Sequence, residues 1–391
     1  MQMGGSTGAA SQSHWDADVA IIGAGPAGTA AAAHLGQLGI HDVVLVDRHD
    51  FPRDKTCGSG ISPKGIQTLR DLGVWEDVER HSYRIGGIRI VTPSGYESWQ
   101  SAGDVAEAVV CHRRVLDNIL LERAKRFGVR FLPYFTATNM LNEGDRVVGF
   151  SDRDGRTVRA RHVLVAGGSH CRIGVDTTRR RRLIQAIMGW WDDVPFRPHH
   201  VEMIFDPMVS PYYGWLFPEG DNRVNIGITY EDPQDAGAGR DPRNKKNARR
   251  LFQRFLDVHF GQRLKHGKQV GAWKGHPVVY SYAIDRLTAP GCIVIGEAGL
   301  MTHPATAEGI YQGMRSGMFG AEAVADVLGG RQTEVKALAE YEGRCRRAFR
   351  LSFLGGALFR AALKTPVIDW LVKAGEQPVV GFATARLMAH M

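Results

Sequence analysis

The sequence predicts an α/β protein: a parallel sheet alternating with helices, an inserted antiparallel sheet and a helical C-terminal tail. Three observations carry this. An apolar run of β type, Asp18-Val-Ala-Ile-Ile, ends in Gly23-Ala-Gly25-Pro-Ala-Gly28 and leads into the alanine-rich stretch Thr29 to Leu38. Residues 176 to 288 hold most of the aromatic alternation, in short runs broken by turn residues. The residues after 331 read as helical. At 391 residues, 43% hydrophobic and 23% charged, the chain exceeds one ordinary core, which favours two structural units or one unit with an inserted layer.

The elements follow in order. Residues 1–15 hold no Lys or Arg and no apolar stretch, so they read as a flexible leader and not a secretory signal, and the chain is expected in the cytoplasm. In the first part of the nucleotide unit, 16–83, Gly23 permits a tight turn and Gly25 lets the backbone approach a pyrophosphate. Gly28 lets the helix lie close on the strand, with its N-terminus facing phosphates. A second apolar strand ends at Asp47, 19 residues past Gly28, where a carboxylate accepts ribose hydroxyls. A motif loop and helix (52–73) lead to short strands over 84–110. The unit resumes over 111–175, where Arg113 precedes a helix and the strand Arg161 to Ala166 runs into Gly167-Gly168-Ser169. Residues 176–290 form the substrate layer, with a polar linker from Glu231 to Asn247. The nucleotide unit returns over 291–330 through Gly296-Glu297-Ala298-Gly299, and 331–391 is the helical region.

Several classes fall away. Five scattered cysteines without CxxC spacing argue against a disulfide framework and a metal site. The net charge of +8 favours anionic partners. The densest basic run, Arg179 to Arg182, is a short block without interleaved aromatics, so no nucleic-acid partner is expected. No apolar run reaches the roughly eighteen residues of a spanning helix. In the tail, Arg346, Arg350, Arg360 and Lys364 fall within about 80° on a helical wheel, a basic amphipathic pattern that suits peripheral contact with an anionic membrane, although packing against the body is favoured.

Gly296 to Gly317 resembles the GDAAG…P…GEGI signature of the FAD-dependent family typified by p-hydroxybenzoate hydroxylase. The sequence departs from it at Glu297, where Asp is usual, at Ala307, where Gly is usual, and at Gly168, where Asp is usual. Phe51-Pro-Arg-Asp-Lys55-Thr-Cys57-Gly58-Ser-Gly-Ile-Ser62 and Tyr212 to Pro218 with Val224 to Ile228 resemble the geranylgeranyl reductase branch, so the likeness covers roughly residues 16 to 330. The resemblance implies a Rossmann-like FAD-binding domain with an inserted antiparallel β-sheet substrate domain. It implies that FAD is held by Gly23, Gly25, Ala27, Gly28, Asp47 and Arg48, by Lys55, Cys57 and Gly58 of the motif loop, and by Arg113 against the phosphates. Gly168, Gly296, Glu297, Pro304, Gly309 and Ile310 complete the set, with the helix after Gly309 aimed at the flavin, where its dipole favours the anionic reduced form.

Candidate catalytic residues are Cys57, Tyr213 and Trp215. On an alternating strand Tyr213, Trp215 and Phe217 share a face, which makes either an aromatic core or a wall for an apolar substrate. Cys57 reads either as a small buried side chain or as a thiol beside the flavin, and Arg113 as a surface charge or a phosphate ligand. The expected function is a reductase that saturates carbon–carbon double bonds of an apolar, isoprenoid-like substrate. Hydride would come from flavin N5, a proton from Cys57, Tyr213 or water, and electrons from NAD(P)H or another donor. The alternatives are a flavin monooxygenase of an aromatic or polyketide substrate, since one frame serves both chemistries, and a flavin- or lipid-binding protein without turnover.

Overall fold

The computed structural model describes residues 13–101, 108–174, 176, 178, 181–231 and 242–374. Its first sheet has eight strands. Along the main path run Thr288–Ala289, Cys292–Val294, Thr157–Val165, His14–Ile22, Val43–Val46 and Arg130–Leu132. The pairs from Cys292–Val294 to Arg130–Leu132 are parallel, and Arg146–Ser151 and Asn139–Glu143 add an antiparallel flank. Central strands of a parallel sheet are covered on both faces, and alternate residues here divide between two cores. Ile21, Val43, Leu45 and Leu164 pack under helices. Ala20, Ile22, Val44, Val46, Val163 and Val165 pack on the other side with Phe135 and Phe150.

Two helices meet on the first of these faces. Pro26–Gln37 and Ile310–Leu328 touch backbone to backbone, since a Cβ on Gly317 would lie 2.3 Å from the Ala27 carbonyl oxygen.

The second sheet has seven strands, in the order Lys268–Tyr280, Arg182–Asp192, Arg223–Tyr230, Gly214–Pro218, His200–Ile204, Gly87–Val91 and Glu97–Ser101. Only the pair His200–Ile204 and Gly87–Val91 is parallel. Helix Pro242–Leu264 covers one face, with Phe252, Phe255 and Phe260 on Leu216, Val224 and Ile226. The other face carries Met188, Tyr213 and Trp215, packed by Leu363, Ile368 and Val372 from the end of the chain. A small third sheet joins Gly60–Ile61, Ala108–Val110 and Tyr83–Ile85.

The structure corrects several expectations. The first strand starts inside the expected leader, because His14 bonds Thr157 at 2.7 Å and Trp15 packs on Phe135; residues 1–12 lie outside the described residues. Tyr212 and Tyr213 precede their strand, which begins at Gly214. Of the linker from Glu231, residues 232–241 are outside the described residues and helix begins at Pro242. Helix Glu334–Ala362 continues through Gly355-Gly356; a Cβ on Gly356 would strike the His303 ring at 2.7 Å, so that glycine serves close packing. Arg360 leaves the expected basic face. It is buried, with hydrogen bonds to the Tyr280 and Tyr282 hydroxyls at 2.6 and 3.2 Å and to Glu231 at 3.1 Å.

Candidate functional site: one cavity between two sheets

A cavity of about 1730 Å³ lies where the two sheets and the small third sheet meet. A usual small-molecule cleft has roughly 300–1,000 Å³, so this one has room for a dinucleotide and a second large molecule.

At one pole the main chain forms a cradle. Gly23 has φ +98°, and a Cβ there would lie 2.5 Å from the Ala166 carbonyl oxygen. A Cβ on Gly28 would lie 1.9 Å from the Gly23 oxygen, so helix and strand close together only with glycine. Gly25 differs: nothing is nearer to its Cβ position than Arg53 Nη2 at 4.0 Å, and it opens on the cavity. Helix Pro26–Gln37 starts there without a side-chain cap, leaving N–H groups for an anion. Asp47 ties the cradle together, its Oδ2 accepting from Ala24 N and its Oδ1 from His49 N, both at 2.9 Å.

Beside this loop two guanidinium groups converge on the buried Asp117. Arg113 makes a fork to it at 2.7 and 2.8 Å, and Arg53 Nη1 stands 3.2 Å away. Burial works against the Arg113 charge, but Asp117 outweighs it and the net shift is upward. Both arginines line the cavity. Arg113 is therefore not a solvated surface residue.

Next comes a titratable cluster. Lys55 Nζ donates to His276 Nε2 at 2.7 Å, and Ser169 Oγ meets the same nitrogen at 3.0 Å. Burial, then the Arg113 charge, lowers Lys55 to about 8, while burial and Lys55 push His276 down to about 2, so the imidazole is neutral and accepts. Glu297 is half-buried, accepts from Val279 N at 3.1 Å and is shifted upward by desolvation. Gly168 has φ +71°, and a Cβ there would sit 4.0 Å from Glu297 Oε2, so an acid at 168 would be strained and would face a like charge. Cys57 stands in the wall between this cluster and the aromatic pole, its Sγ accepting from Ser59 N at 3.3 Å.

The far pole is made of side chains. Tyr213, Trp215 and Phe217 stand in a row with ring centroids 6.1 Å apart at each step, next to Phe205 and Met188. The Trp215 indole donates to Asn225 at 2.7 Å, and Gly227 lies beneath it, where a Cβ would hit the ring at 2.3 Å. Tyr213 donates its hydroxyl proton to the Thr306 carbonyl at 2.5 Å, so its ring and not its proton is offered to the cavity. Gly58 touches this wall too, its Cβ position 3.3 Å from Phe217.

Thr302 to Ile310 form the seam between the poles. His303, pushed down to about 4 by burial, accepts on Nδ1 from the N–H groups of Ala305 and Thr306 at 3.3 and 3.1 Å, which shapes the turn. Ala307 holds φ +55° and Gly309 caps the helix that begins at Ile310. Among the described residues, three buried polar atoms here have no hydrogen-bond partner: Thr302 Oγ1, Glu308 Oε1 and Gln312 Oε1. Burial shifts Glu308 upward, towards the protonated form.

Of the expected site residues, Gly23, Gly25, Ala27, Asp47 and Arg48 line the cradle; Lys55, Cys57, Gly58, Arg113, Gly168 and Glu297 follow along the wall; Gly309, Ile310, Tyr213 and Trp215 close it. Gly28, Gly296 and Pro304 stand behind this wall. The residues that sequence reasoning missed are Arg53, Asp117, Ser169, His276 and Glu308. Arg53, Ser169 and Glu308 lay inside motifs already singled out; the other two carried no local signal.

Cradle, arginine pole and aromatic pole on one cavity define a flavin-dependent oxidoreductase, and their donors and open glycine face fit FAD. Residues 16–351 match the FAD binding domain family, and the chain belongs to it. It is similar to the menaquinone reductase of Mycobacterium tuberculosis, 30% identical over 329 residues, 78% of this chain and 76% of the relative. It is also similar to a digeranylgeranylglycerophospholipid reductase of Methanothermobacter thermautotrophicus, 27% identical over 85% of this chain and 82% of that one. A geranylgeranyl bacteriochlorophyll reductase-like structure from Thermoplasma acidophilum superposes with TM-score 0.82 at 21% identity over 96% of both chains. A flavin-dependent brominase superposes with 0.78 at 19%, over 96% of this chain and 94% of that one. The protein is thus a geranylgeranyl-reductase-like, FAD-dependent enzyme.

Proposed function

We propose that this enzyme saturates carbon–carbon double bonds of an isoprenoid chain, either free or attached to a quinone or lipid headgroup. The observation that carries the reading is the aromatic row Tyr213, Trp215, Phe217 on the same cavity as the nucleotide cradle. The relatives support it, being reductases of menaquinone and of a digeranylgeranyl lipid by name. Reduced FAD, renewed by NAD(P)H or another donor, supplies hydride when bound.

The chain's own residues do the rest. Arg53, Arg113 and the open start of helix Pro26–Gln37 hold the phosphates, with Asp47 on the ribose side. Lys55 and Glu297 hold the middle of the cofactor. An isolated alkene accepts hydride poorly, so alignment and exclusion of water matter most; the aromatic row orients the prenyl chain and keeps its surroundings dry. Glu308, whose carboxyl burial shifts towards the protonated form and whose Oε1 has no hydrogen-bond partner, is the group that gives a proton to the second alkene carbon. Cys57, beside Arg113, shapes the passage between the poles and is the second candidate for proton delivery.

The test is anaerobic. Photoreduced enzyme mixed with prenyl substrates should reoxidise and yield a product heavier by two hydrogens. Flavin oxidised only with oxygen, with an oxygenated product, would replace this reading by a monooxygenase. Reduced flavin that no substrate reoxidises would leave a binding protein.

A further inference from the structure

The last two described helices have an outer face that takes no part in the cavity. Helix Glu334–Ala362 buries Cys345, Phe349, Phe353, Gly356 and Arg360, which occupy one arc of about 80° at 100° per residue. Outside that arc Leu351, Leu354 and Leu358 stand exposed, and their spacing of three and four makes them one stripe. The helix then bends by 116° into Val367–Ala374, which adds exposed Val367, Trp370 and Leu371. The exposure is large: 81% at Leu351, 73% at Leu358 and 68% at Trp370. Elsewhere among the described residues Leu38, Trp99, Tyr134, Val258 and Val335 are exposed singly, which needs no explanation.

Cations frame the stripe. Arg346, Arg347 and Arg350 are exposed on the helix just before Leu351, and Lys364 and Lys373 follow it. The sole acid from 343 to 374 is the half-buried Asp369. Apolar side chains interleaved with cations complement anionic headgroups over acyl chains. Among the described residues no single helix is long and apolar enough to cross a membrane; these two reach that length only together, across the 116° bend.

We propose that this face docks on an anionic lipid bilayer, with Leu351, Leu354, Leu358 and Trp370 in the headgroup boundary and the basic side chains on the phosphates. The face lies directly behind the aromatic pole: Phe359, next to Leu358, lines the cavity, and Leu363, Ile368 and Val372 pack with Tyr213 and Trp215. Docking therefore brings the substrate's own solvent to the cavity wall.

The experiment is flotation of the full-length holoprotein with vesicles of phosphatidylglycerol and phosphatidylcholine. The protein should float with anionic vesicles, float less as salt rises, and stay behind with phosphatidylcholine alone. Leu358→Glu with Trp370→Glu should cut flotation at least tenfold while the purified protein keeps its FAD and reduces a short, water-soluble prenyl alcohol at the parent rate. Equal flotation of parent and variant, or none by the parent, overturns the proposal. A parent dimer that this pair of substitutions makes monomeric would assign the face to a second copy. A polarity-sensitive dye on Leu358→Cys that reads as buried without vesicles would assign it to residues 375–391. Parent and variant both inert towards the prenyl alcohol would remove the reductase reading and leave the vesicle result standing.

Discussion

The cavity is walled by the main chain on one side and by side chains on the other. In the parallel sheet the decisive atoms are N–H groups, carbonyls and glycine Cα atoms within a few residues of each other: Gly23, Gly25, Gly28 and the start of helix Pro26–Gln37. In the seven-stranded sheet they are rings and amides held by one another across paired strands, with Trp215 held by Asn225 and seated on Gly227 of the next strand. A backbone cradle tolerates change outside its glycines and fails outright at them. A side-chain wall shifts its shape with each substitution and keeps its fold. One surface is therefore suited to an invariant cofactor, the other to a substrate that differs among relatives.

The sharpest way to break this comparison is Gly25→Val, which puts a side chain into the open face of the cradle. The variant should purify without flavin absorbance yet retain its far-ultraviolet circular dichroism; a yellow protein would remove the loop from the cofactor site. Glu308→Gln probes the seam. It should keep FAD and accept electrons, while reoxidation by substrate in anaerobic stopped flow slows by roughly 10²–10⁴-fold, the usual share of a general acid. The infrared band of a protonated carboxyl should vanish with it. Cys57→Ala, measured alongside, decides between the two proton carriers.

Gly227→Ala then tests the layer alone. The added methyl pushes on Trp215, at a cost of about 1–3 kcal/mol for overpacking, read as a lower denaturation midpoint. Flavin content should be unchanged and the preference among prenyl chain lengths altered. Loss of flavin instead would mean that the two walls are not independent.

A gentler probe is pH. Protonated Lys55 attracts the anionic cofactor, so FAD affinity should be highest well below about 8 and weaken as pH rises through that value, by up to about tenfold per unit. Titrations with Lys55→Met should be flat over the same range. The smallest effect belongs to Ala307, held at φ +55°. Ala307→Gly should relieve about 1 kcal/mol of left-handed strain, partly offset by a freer unfolded chain, and raise the melting temperature by a few degrees at most.

The same division explains what could be read from the sequence. Phosphate binding by backbone is encoded locally, so the glycine loop, Asp47, Lys55, Cys57 and the turn before Ile310 were legible as motifs, and the family with them. His276 was not, because it reaches Lys55 across 221 residues and Ser169 across 107 through sheet pairing that no local pattern records. Arg360 shows a second limit. A helical wheel groups residues into arcs but cannot say which arc meets the body, and the hydroxyls of Tyr280 and Tyr282 that draw this arginine inward come from the end of a strand and the turn after it, 80 and 78 residues away.

The contact of Gly317 with Ala27 bears on motion. With no space for even a methyl group between the two helices, they form one closely packed block, on which a cofactor reaching from one helix start to the other would rest. Admission of a bulky hydrocarbon would then be accommodated by displacement of the opposing sheet or of the helices that cap it, and a flavin on that block would stay in register while its guest is exchanged.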